Sequence, residues 1–490
     1  MVPNPAAGEA RTRSIQATRS KGCPAGWRQE SPSAGSPGTG PDMDLRPGVE
    51  PVQGTEGGEL NGYHDHEGRE NRGDPDTHGS QSGRLSSCSG GIPGQPGVPP
   101  PEAPAKGGEH MQGRPRLKSV TVHSAQGQLI IWPRALKRIY IDDNSGCIAA
   151  ILQLLAAGEY LIPELRQAMT DRGFTVCDDE IAGVLATLDD LGVLEDADGD
   201  DVLPDVVRER HQSNLRFYDL FSRLERTSAS FHRSAERSRV LLLGAGGLGS
   251  GILQSLAGLG VGEVVIVDTD TVETKNLARQ FVYGLDAVGQ PKVMAARDWV
   301  MSYSPGTRVR PVRQRVDDAA AVARLGVGAD VVVCAIDSPD DVHLIVNEAC
   351  FMLGIPFVAG GLSYSTLSYW SVDPGRTPCR LCLQCHRSDE ALTLPAILRQ
   401  PPLIEPEPVN RATGPVVQLI SGLMSMEVMR YLTRTDPPVA AAAYQVTELA
   451  DQMQTARAPW HRHPACPLCA AADPQPLAEA GSGRTGGAGR

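Results

Sequence analysis

The sequence predicts an α/β protein built on a doubly wound, mostly parallel sheet, with a small α+β domain in front of it. Three observations support this prediction. Between residues 206 and 470, the apolar segments VLLLGAG, EVVIVD, DVVVCAID and IPFVAGG alternate with stretches of helical spacing, a pattern typical of parallel strands joined by crossover helices. A glycine-rich turn follows the first of these strands. Residues 116–205 combine short alternating segments with three helical stretches.

Length, composition and charge exclude several classes of protein. The chain has 490 residues, of which 40% are hydrophobic and 21% charged, as in a globular protein of two or three domains. Its net charge of −12 argues against a nucleic-acid partner, because phosphate binding needs a basic face. No apolar run approaches the roughly 18–20 residues of a membrane helix, and the first residues lack the apolar core of a secretory signal. We therefore expect a cytoplasmic protein that binds neither nucleic acid nor membrane.

Residues 1–115 differ in composition from the rest of the chain. They hold 16 of the 39 prolines and 22 of the 53 glycines and have almost no periodic apolar pattern. Such a segment cannot bury enough apolar surface to offset the entropy of ordering its backbone, so we predict that it is disordered. A start codon placed too far upstream remains an alternative, since Met111 lies just before ordered-looking sequence. The tail, residues 471–490, is also predicted to be disordered.

Residues 116–205 are predicted to form the small α+β domain. The segments LKSVTVHS and QLIIWP alternate in polarity and are separated by Ala125-Gln126-Gly127, which is typical of a β-hairpin, and RIYIDD predicts a further strand. Three stretches of helical spacing follow: SGCIAAILQLLAAGEY, LIPELRQAMTDRG and CDDEIAGVLATLDDLGVL. Short strands and three helices in so few residues indicate a winged-helix-like domain.

The charge of this domain argues against DNA, the usual partner of a winged helix. Residues 145–205 contain fourteen acidic side chains and only two basic ones, Arg166 and Arg172. A helix entering the major groove would bring these carboxylates against phosphates. Two interpretations remain. The domain presents a solvated acidic surface, or it captures an extended peptide that adds to an edge strand, while its helices supply side-chain pockets.

The most informative turn of the large domain follows its first strand. Val240–Leu243 runs into the sequence GAGGLG and then into a helical stretch that reaches about Leu259. Such a turn lets a phosphate group approach the backbone N–H groups at a helix N-terminus, as in Rossmann-like folds. The next strand ends at Asp268, where a carboxylate is placed for a ribose hydroxyl. At this point an NAD-binding domain remains an alternative. The candidate turn residues are Gly244, Gly246, Gly247 and Gly249.

Charged residues downstream favour a nucleoside triphosphate over NAD. The run from Asp268 to Gln280 (DTDTVETKNLARQ) contains Arg279, a Gly-Gln-Pro-Lys segment ends at Lys292, and CAIDSPDD contains Asp337. A dehydrogenase needs no arginine and lysine at these places. In contrast, two cations can neutralise the β- and γ-phosphates of a triphosphate, and an aspartate can hold magnesium.

The string D-x-D-x-V-x-x-x-N-L-x-R-Q followed by G-Q-P-K resembles the ThiF/MoeB/HesA family, the bacterial relatives of ubiquitin-activating enzymes, over about residues 212–470. The resemblance implies a homodimer that uses ATP and Mg²⁺ to activate a carboxylate, usually that of a peptide or small protein, as an acyl-adenylate. Arg279, Lys292 and Asp337 would be the catalytic groups, because charge grows on the departing pyrophosphate. It further implies that Gly244, Gly246 and Gly249 form the nucleotide turn, that Asp268 holds the ribose, that Asn276, Arg279 and Lys292 contact phosphates, and that Asp337 holds magnesium.

Two C-x-x-C pairs predict a metal site. Cys379-x-x-Cys382 and Cys466-x-x-Cys469 have the spacing of a tetrahedral four-cysteine zinc site, in which the metal is structural because no coordination position stays open. The same pairing occurs in the resembled family. Reactive redox thiols are the alternative interpretation. Cys385 follows closely, but we assign the first pair to Cys379 and Cys382, because Thr-Pro-Cys resembles the way this pair begins in the family.

The sequence departs from the family pattern at two places. The family usually opens this domain with R-Y-x-R-Q, and its second arginine reaches a phosphate across a dimer; here Ser213 occupies that position, with Arg210 or Arg216 as possible replacements. Members that transfer sulfur or conjugate modifiers carry a nucleophilic cysteine in the crossover stretch before the last core helix. Here that stretch, residues 388–417, contains none. Because thioester and persulfide chemistry needs a thiolate, we predict no covalent relay on this chain.

Three functions are therefore compared. The first is ATP-dependent adenylation of a carboxylate of a peptide or small ubiquitin-like protein. A small winged helix ahead of a ThiF-like domain is an order that looks like that of proteins that modify ribosomally made peptides. In those proteins the small domain recognises a leader peptide. The second function is that of a non-catalytic partner that binds the leader and delivers the precursor to a YcaO-type cyclodehydratase. The third is activation of a sulfur-carrier protein, as in MoeB and ThiF.

Overall fold

The structure of the chain, a computed structural model, describes residues 113–134, 137–400 and 410–469. The predictions of disorder for residues 1–115 and 471–490 therefore fall outside the described residues, apart from the short stretch 113–115. Among the described helices, none combines the length and the apolar character needed to cross a membrane.

The amino-terminal part begins with short strands and continues with three helices. Strands β2, β3 and β4 form an antiparallel sheet in that order, and the short strands β1 and β5 pair with each other. The predicted hairpin is confirmed: Gln126 and Gly127 both have positive φ, 52° and 75°, which suits a two-residue turn between twisted strands. The winged-helix assignment stays a prediction. The elements are β1 (Pro115–Leu117), β2 (Thr121–Ala125), β3 (Gln128–Arg134), β4 (Lys137–Asp142), α1 (Cys147–Ala157), α2 (Ile162–Asp171), α3 (Asp178–Asp190) and β5 (Leu194–Asp196).

One apolar core joins this sheet to its helices. One face of the sheet supplies Leu129, Ile131 and Ile139, all buried. Helix α3 faces the same core with side chains spaced three or four residues apart, as an amphipathic helix requires. These residues of α3 are Ile181, Val184, Leu185 and Leu188.

The third helix ends earlier than its apolar pattern predicts. The pattern runs to Leu194, but the helix ends at Asp190. Gly192 adopts a left-handed conformation with φ of 78°, and the N–H of Val193 donates to the carbonyl of Leu188, which is how many helices terminate. Leu194 then starts the strand that pairs with β1. The prediction was wrong here because the partner of β5 lies some eighty residues earlier in the chain.

Three helices lead from this part to the large sheet: α4 (Asp205–Arg210), α5 (Gln212–Tyr218) and α6 (Ser228–Glu236). The connection between α5 and α6 forms hydrogen bonds to the amino-terminal strands and helices. Lys118 Nζ donates to the carbonyl of Ser222 at 2.8 Å, and the N–H of Leu224 donates to Asp189 Oδ1 at 2.9 Å.

The large sheet has eight strands in the order β13-β12-β11-β10-β9-β6-β7-β8. The five strands from β10 to β8 are parallel, and β11, β12 and β13 extend this sheet in antiparallel fashion. The predicted mostly parallel sheet and its four apolar strands are thus confirmed, whereas the antiparallel edge was not predicted. The strands are β6 (Arg239–Leu243), β7 (Glu263–Val267), β8 (Arg308–Val312), β9 (Val331–Cys334), β10 (Phe357–Ser363), β11 (Thr366–Val372), β12 (Ala443–Glu448) and β13 (Gln454–Pro459).

Helices cover both faces of this sheet. Residues of α7, α8 and α12 share one buried cluster with one face, and residues of α9 and α10 share a second cluster with the other. The chain order reverses between β6 and β9, and ligands of such folds bind at this switch point, beyond the carboxyl ends of the strands. The helices are α7 (Gly247–Leu259), α8 (Lys292–Tyr303), α9 (Ala319–Leu325), α10 (Val342–Leu353), α11 (Arg380–Thr393) and α12 (Gly414–Thr433).

Candidate functional site

The glycine-rich turn lies at the switch point, between β6 and α7. Gly244 has φ of 105°, and a Cβ atom there would lie 2.5 Å from the carbonyl oxygen of Ala335. A Cβ on Gly249 would lie 2.0 Å from the carbonyl oxygen of Gly244. Gly246 differs, because apart from its chain neighbours no atom of the described residues lies within 4 Å of the position that its Cβ would occupy. Two of these glycines are therefore needed for the fold of the turn, and Gly246 leaves open space for the close approach of a ligand.

Substitution of Gly249 by alanine is expected to destabilise the protein, because the new methyl group overlaps a backbone carbonyl that cannot move without shifting β6. Overpacking of this kind costs about 1–3 kcal/mol in the free energy of unfolding. Urea denaturation of Gly249→Ala beside Gly246→Ala measures this cost. Gly246→Ala, with φ of −74° and open space around it, is expected to stay within about 0.5 kcal/mol of wild type. Equal stability of both variants would contradict the geometry described for the turn.

Asp268 connects the second strand to the glycine turn. It follows β7 directly, and its Oδ2 accepts a hydrogen bond from the N–H of Ala245 at 2.7 Å. Its Oδ1 accepts from the N–H of Asp270 at 2.8 Å. The carboxylate is only partly buried. The carboxylate therefore holds the turn in place and can still accept hydrogen bonds from a ligand at this edge of the sheet.

Lys292 is the first residue of α8, and its side chain is 7% exposed. Its Nζ donates to Asp270 Oδ2 at 2.8 Å, and its backbone N–H donates to the carbonyl of Asp270 at 2.9 Å. The side chain of Asp270 is 62% exposed. The Lys292 side chain is thus largely buried, and its ammonium group forms an ion pair with a carboxylate that is exposed to solvent. An ammonium has three donors, so further acceptors can bind it.

Arg279 and Asn276 belong to the segment that passes over the start of α7. Arg279 is partly exposed, and its Cδ lies 3.8 Å from the position that a Cβ of Gly247 would take. Its Nη1 donates to the carbonyl of Lys275 at 3.4 Å. Asn276 is 4% exposed, and its Oδ1 accepts from the N–H of Glu273 at 2.9 Å. The structure thus brings Arg279 to the glycine turn, whereas the amide oxygen of Asn276 is engaged in its own 3-10 turn.

Asp337 reaches the same edge from β9. The N–H of Ala335 donates to the carbonyl of Leu243, and a Cβ on Gly244 would contact Ile336 at 2.8 Å, so the segment after β9 packs against the glycine turn. Asp337, the next residue, is exposed. An exposed carboxylate beside the glycine turn fits the oxygen ligands that magnesium prefers.

Two residues of this site were not predicted to have a role. Tyr283 donates from its hydroxyl to the carbonyl of Ala245 at 2.7 Å, inside the glycine turn. Burial, and then the charge of Asp268, raise the pKa of this hydroxyl, so it remains a donor. The second residue is Asp270, which pairs with Lys292. Its place two residues after Asp268 was a signal in the sequence, whereas no pattern indicated Tyr283.

Neither candidate replacement for the arginine missing at Ser213 lies at the glycine turn. Ser213 is exposed on α5. Arg210 donates to the carbonyl of Tyr303 at 2.7 Å, at the carboxyl end of α8 and hence at the opposite end of that helix from Lys292. Arg216 also lies on α5 and pairs with Asp219 at 3.3 Å.

The four predicted metal ligands meet in one buried cluster. The sulfur atoms of Cys379, Cys382, Cys466 and Cys469 all lie within 4.8 Å of one another. The distance between the two sulfur atoms of each C-x-x-C pair is 3.8 Å. Between the pairs, Cys379 lies 3.6 Å from Cys466, and Cys382 lies 3.1 Å from Cys469. Four thiolates around zinc, with Zn–S bonds of about 2.3 Å, would be separated by about 3.8 Å. The structure therefore brings the four predicted ligands together, and these residues fit a structural zinc ion. Cys385 is partly exposed and does not belong to the cluster.

Comparisons with known proteins agree with this architecture. A family model described as the ThiF family matches residues 219–468. The SAMP-activating enzyme E1 of Haloferax volcanii is 43% identical over 147 residues, 30% of this chain and 53% of that protein. The molybdopterin-synthase adenylyltransferase of Escherichia coli is 30% identical over 236 residues, 47% of this chain and 87% of that protein. The sulfur carrier protein adenylyltransferase of Thermus thermophilus is 31% identical over 244 residues, 48% of this chain and 83% of that protein.

Solved structures share the fold. E. coli MccB with AMPCPP and MccA aligns with a TM-score of 0.56 and 18% identity, covering 72% of this chain and 99% of that chain. PaaA aligns with a TM-score of 0.52 and 19% identity, covering 69% and 97%. The chain thus spans about half the length of the Haloferax protein in sequence and nearly all of these two structures in fold.

Proposed function

Since this chain belongs to the ThiF family, we propose that it adenylates a carboxylate with ATP. The observation that carries the proposal is the arrangement of Arg279, Lys292 and Asp337 around a glycine turn with open space at Gly246. A nucleotide fold for redox chemistry has no use for this set of charges, whereas a triphosphate needs it.

In the proposed reaction, a carboxylate oxygen of the substrate attacks the α-phosphorus of ATP. The new P–O bond gives the acyl-adenylate, the bond between the α-phosphorus and its β-bridging oxygen breaks, and pyrophosphate leaves with the electron pair. Lys292 and Arg279 stabilise the charge that develops on pyrophosphate. Asp337 would hold magnesium, which supplies further positive charge at the phosphates. Asp268 and Tyr283 keep the turn in place through their hydrogen bonds to Ala245.

For the substrate we favour a peptide that is captured by the amino-terminal domain. The MccB match covers 72% of the chain, more than the half matched by the family model, and that structure holds the peptide MccA. In this chain β2 and β4 are the two outer strands of their sheet, so each presents an open edge to an extended peptide. Both observations support a role in ribosomal peptide biosynthesis. A cytoplasmic location and a YcaO-type cyclodehydratase as a further partner are parts of the same proposal.

A small sulfur-carrier protein is the second candidate substrate. It is favoured by the relatives at 30–31% identity, whose names assign them to molybdopterin synthase and to a sulfur carrier protein.

With either substrate we favour a homodimer, because apolar side chains that follow Arg279 in the chain are exposed to solvent. Phe281 and Leu285 are 49% and 79% exposed.

Exchange of radiolabelled pyrophosphate into ATP tests the proposal. The full chain is incubated with precursor peptides and Gly-Gly-tailed proteins encoded beside its gene, and with the same substrates amidated at the C-terminus. We expect exchange that needs the free carboxylate, since the amide cannot attack phosphorus. If ATP binds and no substrate supports exchange, adenylation is wrong. Co-purification with a cyclodehydratase and precursor would then favour the non-catalytic delivery function.

A further inference from the structure

Arg313 lies at the same carboxyl end of the sheet as the proposed nucleotide site, and it has no part in the site described above. It follows β8 directly, since that strand ends at Val312. The carbonyl of Val312 accepts a hydrogen bond from the N–H of Asp268 at 3.1 Å. The chain therefore leaves β7 and β8 side by side, and Arg313 is a close neighbour of the carboxylate assigned to the ribose.

A hydrogen bond orients the side chain of Arg313. Its Nε donates to the carbonyl of Thr269, the residue directly after Asp268, at 3.2 Å. The guanidinium group thus lies across the segment that leaves β7. Within the described part of the chain, its two terminal nitrogens have no acceptor and no carboxylate forms an ion pair with it. Because the residue is exposed, a ligand can reach this planar cation from solvent.

The order of the strands indicates which part of a nucleotide reaches Arg313. Strands β6, β7 and β8 are consecutive neighbours in the sheet, about 4.8 Å apart. In the proposed function the phosphates lie at the turn after β6, and the ribose lies at Asp268, after β7. The ribose joins the phosphates on one side to the base on the other. A nucleotide that runs from β6 to β7 therefore directs its base towards the end of β8.

The chemistry of Arg313 fits a base better than a phosphate. The phosphates are assigned to a turn two strands away, about 10 Å across the sheet, where Arg279 and Lys292 already supply positive charge. A guanidinium is planar and weakly hydrated, and it is attracted to the negative face of an aromatic ring. The hydrogen bond to Thr269 restricts the side chain before a ligand binds, so less freedom is lost on binding.

We propose that Arg313 binds the base of the nucleotide by stacking its guanidinium plane against the ring. This inference rests on the proposed function and adds a residue to its nucleotide site. Stacking needs a flat aromatic ring and does not depend on the hydrogen-bonding groups at its edge. Arg313 therefore raises the affinity for the nucleotide and touches none of the reacting atoms.

Isothermal titration calorimetry of the full chain in the presence of Mg²⁺ tests this stacking. The two ligands are ATP and ribose 5-triphosphate, which has the same phosphates and ribose but no base. We expect Arg313→Ala to weaken ATP binding about tenfold, as the loss of one stacking contact does, and to change binding of ribose 5-triphosphate less than threefold. Arg313→Lys keeps the charge without the plane, and it is expected to weaken ATP binding more than threefold.

Arg308 provides the matched control, since it lies at the other end of β8. Its side chain is 80% exposed and pairs with Glu263 at 3.0 Å. Arg308→Ala removes the same charge and is expected to leave both affinities unchanged. Thermal unfolding of each variant checks that the fold is intact.

The proposal is overturned if Arg313→Ala or Arg313→Lys binds ATP within threefold of wild type. It is also overturned if Arg313→Ala weakens both ligands equally, because loss of charge would then explain the effect. Wild-type protein that binds both ligands equally would overturn the stacking alone, and this comparison needs no variant. Wild-type protein that binds neither ligand would contradict the proposed function and the stacking together.

Discussion

Replacement of Lys292 by alanine is expected to reduce kcat/KM for pyrophosphate exchange by about 10²–10³-fold, the usual effect of removing one group that stabilises transition-state charge. Its Nζ lies 2.8 Å from Asp270, whose carboxylate is exposed, so the variant leaves no charge buried without a partner. The fold is therefore expected to remain intact. Steady-state exchange measures the activity, and thermal unfolding checks the fold.

Lys275 provides a matched control for this prediction. It lies in the same charged segment, but its side chain is 73% exposed and pairs only with Glu273 at 2.7 Å. Lys275→Ala is expected to change kcat/KM less than threefold. A Lys292→Ala enzyme with more than a third of wild-type activity would remove the assignment of this lysine to the phosphates. The nucleotide site would then be supported only by the glycine turn, Asp268, Arg279 and Asp337.

Loss of the metal is expected to have the largest effect on stability. Zinc binding to four thiolates contributes on the order of 10 kcal/mol in small zinc domains, because the site does not exist in the unfolded chain. Cys466→Ser is therefore expected to lose stoichiometric zinc and to lower the unfolding temperature by more than about 10 °C, given roughly 2–4 °C per kcal/mol for a domain of about 150–250 residues. Metal analysis and calorimetry on the purified variant measure both quantities.

Cys385→Ser is the control for this second prediction. Cys385 lies three residues after Cys382 on the same helix, yet it is partly exposed and outside the cluster. We expect full zinc content and an unchanged unfolding temperature. Zinc retained by Cys466→Ser, or lost from Cys385→Ser, would show that the sulfur positions do not define the metal site.

Features that depend on local pattern were predicted correctly. The hairpin at Gln126 and Gly127 needs residues that tolerate positive φ, and the four apolar strands of the parallel sheet need continuous buried surface; both are visible in short windows of sequence. The family predicted from the motif string is confirmed by the family model, and the names of the relatives agree with the predicted adenylyltransferase class. The cysteine spacing predicted a cluster that the structure contains.

Features that depend on distant partners were missed. Strands β11–β13 contain many polar or exposed residues, and the hairpin of β12 and β13 joins the sheet only because β12 pairs with β11, which lies far earlier in the chain. The end of α3 was wrong for the same reason. In the site, the hydrogen bond from Tyr283 to the carbonyl of Ala245 spans 38 residues. The pattern of a single segment does not show which residues distant in the chain it will contact.

A metal ion bound at the cysteine cluster would couple the opening of segments that are distant in the chain. It joins Cys379 and Cys382 to Cys466 and Cys469, so a bound metal closes the intervening chain, with α12, β12 and β13, into one ring. Closing a ring of this length removes conformational freedom from the opened state and leaves the closed state unchanged. The outer strands of a sheet commonly open first, and with a metal bound we expect β12 and β13 to exchange their amide protons only after the metal is released. Metal occupancy would thereby set the local opening free energy of the described residues between Cys379 and Cys469.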